Sequence, residues 1–89
     1  MAPPYKVVAV KTARDELTDL FLRYRKNGLQ QMITHADLKI DKALTQNPQG
    51  GHPIPQTNRW TVTVFPLNAV YEIVGDEVKI LSYKDITSP

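Results

Sequence analysis

The sequence predicts an α+β domain of order β-α-α-β-β-β, an antiparallel sheet with a helical hairpin packed on one face. Three observations predict it. Apolar and polar residues alternate along Arg59-Trp60-Thr61-Val62-Thr63-Val64, the period of two expected of a half-buried strand. Gly75-Asp76 separates two β-rich runs, and Gly-X is the signature of a two-residue hairpin whose first turn residue needs positive φ. Upstream, apolar residues recur at the i, i+3, i+4, i+7 spacing of buried helix stripes.

In chain order, Tyr5-Lys6-Val7-Val8-Ala9-Val10 reads as the first strand. Thr12 is then a helix N-cap candidate with Asp15 and Glu16 in the first turn, where carboxylates favour the positive end of the helix dipole. The first helix is expected over residues 13–26, burying Leu17, Leu20, Phe21 and Tyr24 and leaving Arg14, Asp15, Asp19, Arg23 and Lys26 in water. Asn27-Gly28 ends it, since glycine suits the left-handed cap. A second helix over residues 29–45 carries Leu29, Ile33, Ala36, Ile40, Ala43 and Leu44 on one side, and so short a break predicts an antiparallel pair. Asn47-Pro48 stops it, and residues 46–58 (QNPQGGHPIPQTN) read as a long loop, a common setting for binding or catalysis.

The last three strands form a meander. Across Gly75-Asp76 the expected pairs are Val74 with Glu77, Ile73 with Val78, Glu72 with Lys79, Tyr71 with Ile80 and Val70 with Leu81. A turn through Phe65-Pro66-Leu67-Asn68 would pair Val64 with Ala69, Val62 with Tyr71 and Trp60 with Ile73. The core face then holds Trp60, Val62, Val64, Ala69, Tyr71, Ile73, Val78 and Ile80. Arg59, Thr61, Thr63, Val70, Glu72, Lys79, Leu81 and Tyr83 are expected on the opposite face, where function is to be sought.

At 89 residues the chain is expected to be a single domain, 1–89, with one core. Hydrophobic residues at 42% and charged residues at 22% are a globular balance and not that of a disordered chain. No segment approaches the roughly 20 apolar residues of a membrane span, and the start lacks a signal peptide's apolar region, so a cytoplasmic setting is expected. Without cysteine there is no disulfide framework, thiolate nucleophile or Cys-based zinc site. His35 and His52 stand alone, with no His-x-x-x-His or paired-carboxylate motif, and Gly50-Gly51 lacks the Gly-Lys-Ser/Thr flank of a phosphate loop; no metal or cofactor is expected. A net charge of +2 permits contact with nucleic acid without by itself arguing for it.

The element order, the run Thr12-Ala13-Arg14-Asp15-Glu16-Leu17, the Ile40-Asp41-Lys42-Ala43-Leu44 close of the second helix before a Pro-Gly loop, and Ala69-Val70-Tyr71-Glu72-Ile73 followed by Gly75-Asp76-Glu77-Val78 together resemble the RelE/ParE superfamily of toxin–antitoxin toxins. The resemblance implies a RelE-like fold and an antitoxin partner with a helical segment that silences the toxin. It also implies one of two targets, since some members cut messenger RNA in the ribosomal A site and others poison DNA gyrase.

The family's catalytic positions carry other residues here. The arginine expected near the end of the second strand is Thr63, a Tyr-Arg pair is replaced by Leu67-Asn68, and the terminal catalytic pair falls at Ile86-Thr87. RNA cleavage needs a base for the 2′-hydroxyl, a cation for the developing phosphorane and an acid for the leaving oxygen. The residues available for those roles are His52 as acid or base, Arg59 or Lys84 as cation, and Tyr83 as acid or stacking platform. Each has a plainer reading: His52 an exposed loop residue, Arg59 a solvated strand start, Tyr83 a packing residue. His35 reads as surface, and Arg23-Tyr24-Arg25-Lys26 as a favourable helix C-terminus.

Val70, Leu81 and Tyr83, rimmed by Arg59, Lys79 and Lys84, form the candidate partner-binding patch, for an antitoxin segment or a second copy of the chain. The competing expectation is that the first strand or residues 85–89 fold over that patch. Three functions follow: a toxin cleaving messenger RNA at the ribosome with a rearranged site, a non-catalytic binding module on the same fold, gyrase-directed or inactive, and a small α+β domain unrelated to toxins.

Overall fold

The computed structural model describes residues 4–87. Strand β1 (Lys6–Ala9) leads into helices α1 (Lys11–Arg25) and α2 (Gln30–Gln46), a 3-10 turn (Pro48–Gly50), and strands β2 (His52–Pro53), β3 (Arg59–Val64), β4 (Leu67–Val74) and β5 (Glu77–Asp85). One sheet in the order β1-β5-β4-β3-β2 results. Every neighbouring pair is antiparallel except β1 with β5, which run parallel. The helical hairpin covers one face, as expected of an α+β fold, and the core lies between: Ala13 and Leu20 from α1, Ile33, Ala36, Ile40 and Leu44 from α2, and Leu67, Ala69, Tyr71, Val78, Ile80 and Tyr83 from the sheet.

The α1 stripe is only partly submerged. Leu20 is buried, while Leu17, Phe21 and Tyr24 are half-buried and Ala13 joins the core in their place. The helix starts two residues earlier than expected, with Val10 at the N-cap instead of Thr12, and its first turn holds no acid. Asp15 instead pairs with Lys11 one turn before it at 2.9 Å. Gly28 takes φ +70° and closes α1 in the way the sequence predicts. Leu29, the N-cap before α2, and Ala43 within the helix are exposed, so four residues of the expected stripe, Ile33, Ala36, Ile40 and Leu44, carry the contact.

Two corrections concern the meander. The turn between β3 and β4 spans only Phe65-Pro66, so Val64 pairs with Leu67, Val62 with Ala69 and Trp60 with Tyr71. Asn68, which reads as a turn residue, sits in the ladder and donates from Nδ2 to Thr63 Oγ1 at 2.9 Å. Because the slip is two residues, each side chain keeps its face. The core face survives the error, although Trp60, Val62, Val64 and Ile73 are half-buried at its margin.

The second correction changes faces. Pairing across Gly75-Asp76 follows expectation from Val74 with Glu77 to Tyr71 with Ile80, and Gly75 takes φ +64°. A bulge then intervenes, and Val70 pairs with Ser82 instead of Leu81. The extra residue reverses the alternation for the rest of β5. Tyr83 therefore pairs with Ala69 and is buried under the helices, not exposed on the opposite face.

The segment read as a long loop contains the 3-10 turn and β2. His52 pairs with Thr61 and Pro53 with Trp60, and Ile54 N–H donates to Arg59 C=O at 2.9 Å. In that register the backbone of residue 53 faces away from β3, so proline's missing donor falls on the outer edge, where a strand tolerates it. Thr57 N–H reaches Ile54 C=O at 3.2 Å around Pro55-Gln56, and Gln56 takes φ +66°, a turn position usually held by glycine or asparagine. Proline- and glycine-rich sequence hid a hairpin.

Candidate functional site

Strand pairing assigns the outward face in rows. Arg59, Glu72 and Lys79 form one row, His52, Thr61, Val70 and Ser82 the next, and Thr63, Asn68 and Lys84 the third. His52 and Arg59, both exposed, are diagonal neighbours at the free end of this surface. Lys79 and Val70 share the face, half-buried, and Leu81 lies half-buried at the bulge beside Ser82. Neither β1 nor the described part of the tail covers it: β1 is an edge strand, and Ile86 N–H is bound to Pro66 C=O. Ser88 and Pro89 lie outside the described residues.

Tyr83 belongs to the other side of the sheet. Its hydroxyl donates to Asp37 Oδ1 of α2 at 2.9 Å. Burial, then the nearby Asp37 and Asp41 carboxylates, push its phenol far above the ordinary range, and the sheet separates it from His52 on the outward face. Asp37 is raised too, by burial first and by Asp41, against the lowering effect of the Tyr83 hydroxyl. An acid one turn after Ile33 and one turn before Ile40 stands beside a core stripe, a signal in the sequence that a reading centred on histidine and arginine passes over.

Lys84 falls in an outward row, yet its Nζ lies 2.9 Å from Glu16 Oε2 of α1. The other oxygen of Glu16 accepts from Tyr83 N–H at 3.3 Å. β1 stops at Ala9, opposite Ile80, so from Leu81 onward β5 has no neighbour on that side. Glu16 serves as that neighbour. A third carboxylate, Asp85, accepts from Tyr24 hydroxyl at 3.1 Å and from Thr87 N–H at 2.8 Å and Thr87 Oγ1. Slight burial opposes ionisation of Asp85, but the Thr87 and Tyr24 hydrogen bonds and Arg23 outweigh it and hold its carboxyl below the usual value.

The four candidate catalytic residues do not converge. His52 and Arg59 share a corner of the outer face, Tyr83 is beneath the helices, and Lys84 is committed to Glu16. No cluster of three or more His, Asp or Glu side chains that could hold a metal occurs among the described residues, and no helix among them is long and apolar enough to cross a membrane. An apolar concavity lies on the helical side instead. Leu17 and Phe21 of α1 face Ile33 and Leu38 of α2 across a groove of about 290 Å³, with Asp37 at its wall and Leu38 62% exposed.

This arrangement, a helical hairpin on a sheet whose last strand pairs parallel with the first, has solved counterparts. A chain of the chromosomal ParDE toxin–antitoxin system from P. aeruginosa superposes with TM-score 0.75 over 92% of this chain and 96% of that one, at 18% identity. The fold is that of the RelE/ParE toxins. The toxin–antitoxin complex RelBE2 from Mycobacterium tuberculosis gives TM-score 0.74 at 19% identity, covering 92% and 98% of the two chains. TrmO from P. aeruginosa matches with TM-score 0.58 at 21% identity, covering 93% of this chain but 35% of that one. A RelE/ParE-like topology thus also resembles part of a larger protein, and the fold by itself does not select an activity. No family model and no curated protein matches the sequence.

Proposed function

We propose that this chain is the toxin-like component of a toxin–antitoxin module that acts on its target by binding, with DNA gyrase, one of the two targets its resemblance implies, as the target class, and that an antitoxin chain silences it. The observation that carries the reading is the commitment of Tyr83 to Asp37 and of Lys84 to Glu16. General acid–base cleavage needs an acid, a base and a cation around one phosphate. Two of the four groups that could supply them are held by helix carboxylates, and Tyr83 lies on the far side of the sheet.

An antitoxin helix would fit the groove between α1 and α2 by setting apolar side chains on Leu17, Phe21 and Leu38 and a lysine or arginine near Asp37. The sheet's outer face, with Val70, Leu81 and Lys79 but without Tyr83, is the competing partner surface. A second reading, messenger-RNA cleavage at the ribosome, is favoured by one feature: His52 and Arg59 lie exposed as diagonal neighbours on the outer face.

Inducible expression with parallel assays of supercoiling and of messenger-RNA integrity separates the two. Growth should slow and supercoiling should fall while transcripts stay intact, with His52→Ala and Arg59→Ala as active as the parent. Ribosome-dependent cleavage that either substitution abolishes would replace the binding reading with the nuclease one. Leu38→Glu, at an exposed position, should release a co-expressed antitoxin without unfolding the chain; release by Leu81→Glu instead would move the partner to the outer face.

A further inference from the structure

The β1 edge carries an inference that stands apart from the toxin reading. Lys6 N–H donates to Asp76 C=O and Val10 N–H to Ile80 C=O, so the even-numbered residues of this segment face β5. By strand geometry, Val7 and Ala9 turn their N–H and C=O groups away from the sheet. No backbone or side-chain hydrogen bond fills those groups from among the described residues, and none of Lys6, Val7, Val8 or Ala9 is buried. Such an edge is a template for one more strand.

We infer that this edge pairs with the same edge of a second copy, antiparallel about a twofold axis through Val8. The sequence is self-complementary in that register. Val7 of one copy opposes Ala9 of the other, each exchanging N–H···O bonds in both directions, which uses every outward group of the segment. Val8 is half-buried and pairs with Lys79 on the outer face, so Val8 would meet Val8 at the axis in a close, non-hydrogen-bonded pair. Val7 and Ala9 lie on the core face opposite Val78 and Ile80, which keeps the apolar rows continuous across the junction. The charged member, Lys6, opposes Val10 of the other copy, and the two Lys6 residues stand about 13 Å apart along the junction, beyond strong repulsion at physiological salt. An unrelated strand could use the same hydrogen bonds, but only a second copy brings this matched pattern with it.

The test uses the intact chain and the symmetry of the junction. Sedimentation equilibrium up to about 1 mM protein should show a monomer–dimer equilibrium, and the amides of Val7 and Ala9 should gain exchange protection as concentration rises. Val8→Lys and Val8→Glu each place like charges against themselves at the axis and should each be monomeric alone; mixed in equal amounts they should form a heterodimer. Ala9→Pro deletes one outward donor at an edge position and should weaken the dimer at least tenfold while circular dichroism stays unchanged. A wild-type chain that remains monomeric, or a dimer that persists in Val8→Lys, overturns the proposal. Protection of Val7 and Ala9 that appears only when an antitoxin chain is added would also overturn it and assign the edge to that partner's strand.

Discussion

Gly51→Ala should destabilise the protein by about 3 kcal/mol and lower its melting temperature by on the order of 15 °C, whereas Gly50→Ala beside it should be close to neutral. The difference is steric. A Cβ on Gly51 would lie 2.2 Å from the Tyr71 hydroxyl and 2.6 Å from the Thr61 carbonyl oxygen; on Gly50 it would meet only the Asn47 amide, at 3.1 Å. Neither glycine has a positive φ, so backbone strain does not enter. Tyr71 cannot retreat, because it is wholly buried and its hydroxyl donates to the Pro48 carbonyl. Burial raises its phenol pKa against a backbone hydrogen bond from Gly51, so the hydroxyl stays protonated and able to donate. Thermal denaturation of the two variants side by side checks this; equal melting temperatures would mean that the segment from Pro48 to Gly51 does not seat on Tyr71 as described.

Tyr83→Ala should have the larger effect, about 3–5 kcal/mol, enough to unfold much of a chain this small. The substitution empties a core position 4% exposed and strips Asp37 of its hydrogen-bond donor. The same pair sets a pH dependence of known sign. Asp37, raised above its ordinary 3.8 by burial and by Asp41, holds its proton longer in the folded chain than in the unfolded one. Its contribution therefore favours folding at low pH and is lost as the pH climbs from about that value through the folded pKa. Asp37→Asn should consequently be at least as stable as the parent at pH 7, with the advantage fading toward pH 4. Asp85 shifts in the opposite direction, but it is common to both proteins and cancels in the comparison. Urea unfolding at the two pH values measures the difference; an Asn variant less stable at pH 7 and equal at pH 4 would reverse the sign.

Binary pattern made the fold readable. The alternation in residues 59–64, the Gly75 turn and the two helical stripes place every element except β2 and the 3-10 turn in the right order, and the two-residue slip between β3 and β4 does no harm because strand faces repeat every two residues. Tyr83 departs from the face its alternation predicts because a bulge adds one residue, and one is the number that exchanges faces. Leu81 carries no glycine or proline to mark it. β2 is hidden for a related reason: two paired residues, one of them proline, give no periodicity. The site was less legible than the fold. His52 and Arg59 are found by residue type, whereas Glu16, Asp37 and Asp85 gain their roles from partners as many as 68 positions away, through pairings that a stripe or an alternation does not encode.

Glu16 has a bearing beyond the bonds it makes. Past Ala9 the last strand would expose a run of unpaired backbone, Leu81 to Asp85, of the sort on which foreign or unfolded chains template ordered aggregates. One helix carboxylate occupies the Tyr83 amide there and draws the Lys84 ammonium across the same margin, placing a charge where another strand would have to lie. Such a residue protects solubility more than it adds to folding free energy, since a partly exposed ion pair contributes little to the latter. Its value is set by the crowd of other chains around the molecule, not by the molecule alone.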